Sequence, residues 1–68
     1  MDDARVTLEA CRVNTGMNQA QFAEKIGVTL NTVSNWERGK SEPTLSQLRT
    51  ISELSTIPMG CIIVSNDS

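Results

Sequence analysis

The chain has 68 residues, eight of them acidic and six basic, for a formal charge of −2, with no histidine and only two cysteines. A core this small is marginal, so a single domain over 1–68 is expected, with function on its surface and no deep substrate cleft. The acidic balance argues against a polyanion binder that works through a general positive field, and the wide separation of Cys11 and Cys61 offers no zinc-ligand spacing.

Phe22 and Trp36 are the only aromatics, which leaves an aliphatic core better suited to helices than to a sheet. The opening MDDARVTLEA holds no apolar segment, and the longest aliphatic run is CIIV at 61–64. Neither a signal peptide nor a membrane span is supported, so a cytoplasmic chain with both cysteines reduced is expected.

Gly16, Gly27 and Gly39 each follow a segment of about ten residues with apolar positions at helical spacing, the pattern of helices ended by a C′ glycine. The first segment offers Val6, Ala10 and Val13. The second begins at Asn18, which can cap it with Gln21 as box partner, while Met17 and Phe22 form a hydrophobic staple. Its apolar face is Phe22, Ala23 and Ile26. Thr29 caps the third, with Val28 and Val33 as staple and Val33 and Trp36 as the buried face; no Glu or Gln completes a capping box there. Thr44 with Gln47 opens a fourth helix whose apolar positions are Leu45, Leu48 and Ile51. Pro58 suits the first turn of a short fifth helix reaching Ile62 or Ile63, and SNDS at 65–68 reads as a frayed, disordered tail.

Only Gly27 and Val28 separate the second helix from the cap of the third, which forces a sharp change of direction. Two short helices joined this tightly describe a helix-turn-helix at about 18–38, within an all-α, five-helix domain.

The stretch MNQAQFAEKIGVTLNTVSNWERGKSEPTLSQL resembles the Cro and lambda-repressor-like (XRE-type) helix-turn-helix family of bacterial and phage transcription regulators. The resemblance covers about residues 5–63 and rests on Gln19, Phe22 with Ala23, Gly27, the run Trp36, Glu37, Arg38, Gly39, and Pro43. It implies a lambda-repressor-like fold in which the helix from Thr29 to Arg38 enters the major groove and the helix from Asn18 to Ile26 crosses the phosphate backbone.

In that frame Leu30, Asn31, Thr32 and Asn35 are candidates for base contact. Asn31 and Asn35 lie four apart on one helical face, and an asparagine amide both donates to and accepts from the major-groove edge of adenine. Leu30 departs from the polar residue usual in the family. It fits a thymine methyl, or it is a surface leucine covered by its neighbours, and both readings stand. Phosphate contacts are expected from Asn18, Gln19, Thr29, Arg38 and Lys40. Gln19 occupies a first helical turn, where unpaired N–H groups and the dipole favour an anion, and Arg38 and Lys40 flank Gly39, where their cations and the backbone N–H groups can reach a strand.

The family also pairs an arginine of the first helix with the glutamate ending the third, which makes Arg12 and Glu37 a structural ion pair. Trp36 is read as core. Cys61, Ile63 and Val64 would form an apolar strip beside inward Met59 and Ile62, either a dimer interface or the end of a longer chain's domain. Ser52 and Ser55 depart from the small apolar residue and leucine common in the family's fourth helix.

The function implied is sequence-specific binding of double-stranded operator DNA, as a homodimeric repressor of a palindromic site, with no metal, no cofactor and no membrane. The alternative is an antitoxin or anti-repressor that uses the same fold to dock a protein partner, motivated by the acidic charge and the C-terminal apolar strip. No acid–base, nucleophile or metal constellation points to an enzyme.

Overall fold

The structure, a computed structural model, describes residues 5–64; the expectation of a frayed tail at 65–68 lies outside them. Helix α1 spans Leu8–Thr15, α2 Gln19–Ile26, α3 Leu30–Glu37 and α4 Leu45–Ser55, and the strands β1 and β2 are Val6–Thr7 and Ile62–Ile63.

The helix starts follow from short polar side chains that accept a first-turn N–H. Asn18 and Thr44 each form a full capping box, with Gln21 and Gln47 returning a side-chain bond to the cap N–H. Thr29 caps α3 through the N–H of Thr32. Thr7 caps α1 by accepting from Ala10 N at 3.1 Å, a signal present in the sequence as a threonine one residue before the first apolar helical position. Gly16, Gly27 and Gly39 all carry positive φ, as expected of glycines that end helices.

Three expectations are corrected. The buried face of α1 is Leu8 and Cys11, not Val6, Ala10 and Val13: Val6 belongs to β1, Ala10 is exposed, and Val13 is 61% exposed. The capping threonine starts the helix two residues later than the Val6 stripe requires, and this selects the other face. On α4, Leu45 stands 65% exposed in the first turn, and Ile51, with Leu48 and Leu54 beside it, supplies the packing.

The fifth helix is absent. Met59–Cys61 makes one 3₁₀ turn, and Ile62–Ile63 then runs parallel to β1, with Val6 opposite Ile62 and Thr7 opposite Ile63. Pro58 is extended at φ −58, ψ 141 rather than helical, and the β-branched run Ile62, Ile63, Val64 prefers the pleated conformation that follows. The described residues therefore form four α-helices and a small two-stranded parallel sheet that joins the segment before α1 to the segment after the 3₁₀ turn.

The core is Leu8, Cys11, Phe22, Ala23, Val33, Trp36, Ile51 and Ile62, with Val6, Met17, Ile26, Val28, Leu48, Leu54, Ile57 and Val64 packed around it. Every helix contributes, so burial of this one cluster fixes α2 and α3 against α1 and α4. The two unusual serines close the end of α4. Buried Ser55 Oγ donates to Ile51 O at 2.8 Å and accepts from Ile57 N, while Ser52 Oγ donates to Ile57 O at 2.6 Å. Asn14 of α1 donates to Ser55 O at 2.8 Å. Hydrogen bonds thus close this end of α4 where the resemblance implied apolar side chains. Thr56 caps this end in the left-handed region at φ 58.

Candidate nucleic-acid interface

The turn between α2 and α3 is made by two residues. Gly27, at φ 92, and Val28 both donate their N–H to Ala23 O, at 2.8 and 3.0 Å, which ends α2 and reverses the chain at once. Val28 packs on the core, and Thr29 opens α3 immediately afterwards. Helices α2 and α3 pack on each other more extensively than any other pair.

With Val33 and Trp36 buried, the helical period of about 100° per residue turns Asn31 directly outward, with Asn35 and Ser34 about 50° to either side and Leu30 and Thr32 at the two edges of that face. The four candidate base-contact residues thus run from the outward centre of α3 at Asn31 to its half-buried edge at Thr32. Leu30 is 50% exposed and Asn31 is exposed, while Thr32 and Asn35 are half-buried. Neither Asn31 nor Asn35 has a side-chain partner among the described residues, so both amides keep their donors and acceptors. Ser34, half-buried and four residues after Leu30, shares its flank; sequence reasoning passed over it, although i, i+4 spacing from Leu30 marks it.

The two threonines of the first turn are coupled. Thr29 Oγ1 accepts from Thr32 N at 3.1 Å and lies 2.9 Å from Thr32 Oγ1. At the other end of α3, Gly39 N donates to Trp36 O and Lys40 N to Asn35 O at 2.9 Å, with Gly39 at φ 78, which together make a Schellman motif. These two N–H groups are consumed inside the protein. Of the expected contacts around Gly39, only the exposed Arg38 and Lys40 cations remain available to a ligand.

The start of α2 is different. Asn18 takes the N–H of Gln21 on its side chain and that of Phe22 on its carbonyl, which leaves the Gln19 and Ala20 N–H groups without a partner among the described residues. Positive dipole and free donors coincide there. The Gln19 side chain is not free, however. Its Nε2 donates to Glu37 Oε1 at 2.9 Å, and Arg12 donates to the same carboxylate through Nε at 2.7 Å and Nη2 at 3.4 Å. Arg12 Nη1 also donates to Met17 O at 3.1 Å. One carboxylate therefore joins α1, the start of α2 and the end of α3. The expected Arg12–Glu37 pair is formed with both side chains largely buried, at 15% and 8% exposure. The hydrogen bonds that Arg12 donates to Glu37 raise its pKa above the ordinary value, so the guanidinium stays charged.

Local charge also differs from the total. All six basic side chains fall within residues 5–64, against the five carboxylates Glu9, Glu24, Glu37, Glu42 and Glu53, a balance of +1. The remaining acids, Asp2, Asp3 and Asp67, lie outside the described residues. At the C-terminal end Cys61, Ile63 and Val64 are half-buried, Val64 packs on the core, and Ile63 and Val64 line a cavity of about 200 Å³ with Thr7, Leu8, Trp36 and Glu37. Ile62 points inward as expected, while Met59 is only half-buried. No helix among the described residues is long and apolar enough to cross a membrane.

A family model described as helix-turn-helix matches residues 8–54, from the first residue of α1 to the last full turn of α4. The chain belongs to the Cro and lambda-repressor-like helix-turn-helix family. Within this family member, the matched span holds every residue of the Arg12, Gln19 and Glu37 network and all of α3. A curated relative, an uncharacterized helix-turn-helix-type transcriptional regulator of Haemophilus influenzae, is 40% identical over 38 residues. That alignment covers 56% of this chain and 16% of the relative, so the chain spans a small part of the relative's length. No solved structure gives a significant match.

Proposed function

We propose that this helix-turn-helix protein binds double-stranded operator DNA and regulates transcription, acting as a cytoplasmic homodimeric repressor that occludes a promoter. The observation that carries this reading is the outward face of α3, where two asparagine amides have no partner among the described residues and stand one turn beyond a tight two-residue turn. An amide that donates and accepts together fits adenine in the major groove. Leu30, Asn31, Thr32 and Asn35 face base edges in this reading.

The phosphate contacts come from the free N–H groups at the start of α2, from Asn18, Gln19 and Thr29, and from the cations of Arg38 and Lys40. Fixed backbone dipoles and local cations supply the attraction that the whole chain's charge lacks. A dimer formed through the strip of Cys61, Ile63 and Val64 would set two copies of α3 in successive major grooves about 34 Å apart, which makes the operator palindromic.

Selection of bound sites from a random DNA pool tests this reading. Enrichment of a two-fold symmetric site with adenine in each half is the expected outcome, and failure to enrich any sequence would defeat the proposal.

A further inference from the structure

The hydroxyl groups of Thr29 and Thr32 decide what Thr32 can offer to a base. Thr29 Oγ1 already accepts the Thr32 N–H at 3.1 Å, and the two hydroxyl oxygens are 2.9 Å apart, so one hydroxyl hydrogen lies between them. A phosphate oxygen only accepts. If Thr29 contacts phosphate, it must do so with its own hydrogen, and the hydrogen shared by the pair must then belong to Thr32. Thr29 is fully satisfied in this arrangement, with two bonds accepted and one donated.

We propose that Thr32 reads DNA with its methyl group rather than its hydroxyl, and that the α3 surface is built for a half-site carrying a C5-methyl pyrimidine on each side of the base pairs facing Asn31 and Asn35. The inference rests on the operator-binding reading above. With Thr29 donating to phosphate, Thr32 has no hydroxyl hydrogen left for the acceptors N7, O6 or O4 of the major groove, and its oxygen, which can still accept, is held 2.9 Å from Thr29 Oγ1 at the helix start. What it retains on its flank is a methyl. The opposite flank carries Leu30, half exposed and wholly apolar. Leu30 shares its flank with Ser34 but is the one apolar group there, so the amides have a methyl-bearing side chain on either side, which matches adenine bordered by methyl-bearing pyrimidines and gives Leu30 a use that a polar residue there would not serve.

The C5-methyl group has two sources, thymine and 5-methylcytosine. Site selection on unmodified DNA separates them. Thymine recovered at the flanking positions assigns the contact to thymine, whereas cytosine recovered there, with tighter binding once it is 5-methylated, assigns it to the modified base.

The test uses Thr32→Val, which keeps the methyl and loses the hydroxyl, and Thr32→Ser, which does the reverse, titrated against the selected operator and a copy with the flanking methyl removed, as uracil for thymine. Wild-type protein and Thr32→Val should bind the methyl-bearing operator within about twofold of each other, and each should lose about fourfold per methyl removed, the scale of one buried methylene. Thr32→Ser should bind about fourfold more weakly and lose nothing further when the facing methyl is removed. Thermal unfolding of each variant confirms that it is folded at the temperature of the titration. Loss of base preference in Thr32→Val with retention in Thr32→Ser would overturn the inference, as would wild-type binding indifferent to methyl removal while the operator remains specific. Absence of any selected operator would instead defeat the DNA-binding reading and this inference with it.

Discussion

Arg12 Nε donates to Glu37 Oε2 at 2.7 Å across 25 residues of chain, and the bond ties the middle of α1 to the last residue of α3. Because Gln19 Nε2 donates to the same carboxylate, the pair also sets the start of α2, where two free N–H groups stand. In a domain with so few core side chains, the relative placement of the two helix-turn-helix elements depends on this one buried site as well as on Val33 and Trp36.

Removing one partner leaves an uncompensated charge in a largely buried place. Arg12→Met and Glu37→Gln are each expected to lower the unfolding free energy by about 3–5 kcal/mol, enough to unfold much of the population. Urea titration followed by tryptophan fluorescence measures it, with Trp36 as the only reporter. A loss below about 1 kcal/mol for both variants would show that the pair is solvated.

Thr56 is β-branched and sits at φ 58, a conformation in which its Cβ crowds the following carbonyl oxygen. Thr56→Gly removes that strain and is expected to raise stability by about 1 kcal/mol, or roughly 4–8 °C in Tm for a domain of this size. A lower Tm would mean that the threonine side chain contributes more at this cap than its backbone strain costs.

The two cysteines should behave differently. Cys11 has no exposed surface, and burial pushes its thiol pKa above the ordinary value of 9.0, with a Ser55 hydrogen bond opposing the shift. A thiol-specific reagent near neutral pH should label Cys61 faster than Cys11, at a rate that falls as protein concentration favours the proposed dimer, and Cys11 only at the rate of unfolding. The linked pH effect follows from the same shift. The thiol ionises first in the unfolded chain, so its contribution to stability is complete below pH 9 and declines as pH rises from there through the folded-state pKa. Cys11→Ala should flatten that alkaline decline, and equal labelling of both cysteines in the native protein would contradict the burial.

Much of the helix-turn-helix geometry is legible in the sequence because caps and turns are local chemistry. Asn18 with Gln21, Thr29, Thr44 with Gln47, and the Gly27–Val28 connection sit where short-range hydrogen bonding puts them. The misreadings arose where a distant contact decides the outcome. Val6 fits a helical stripe by spacing, yet its partner is Ile62, 56 residues away, in a parallel strand pair that no local pattern announces. The supposed fifth helix was lost to the same pairing. The bond of Gln19 to Glu37, which the sequence does not announce either, depends on how α2 meets α3, and spacing within either helix does not encode that.

Asn35→Ala removes an amide from the outward face without touching the core. It is expected to weaken operator binding by about 1–3 kcal/mol and to relax the preference for adenine at one position of each half-site, with thermal stability unchanged. Lys40→Ala should weaken binding to all duplexes alike and lower the salt slope by about 1 per subunit. The reverse pattern, with Lys40 altering base preference and Asn35 altering only salt dependence, would misassign both side chains.

The central claim is that α3 reads a base sequence while a few local cations and helix N-termini hold the phosphates. Its most direct test is an equilibrium titration of the selected operator and a scrambled duplex over a series of salt concentrations. With two or three cationic phosphate contacts in each of two subunits, the logarithm of affinity should fall with the logarithm of salt at a slope of about −4 to −5, and the operator should bind at least a thousandfold more tightly than the scrambled duplex. A slope near zero, or equal affinity for the two duplexes at every salt concentration, would contradict it.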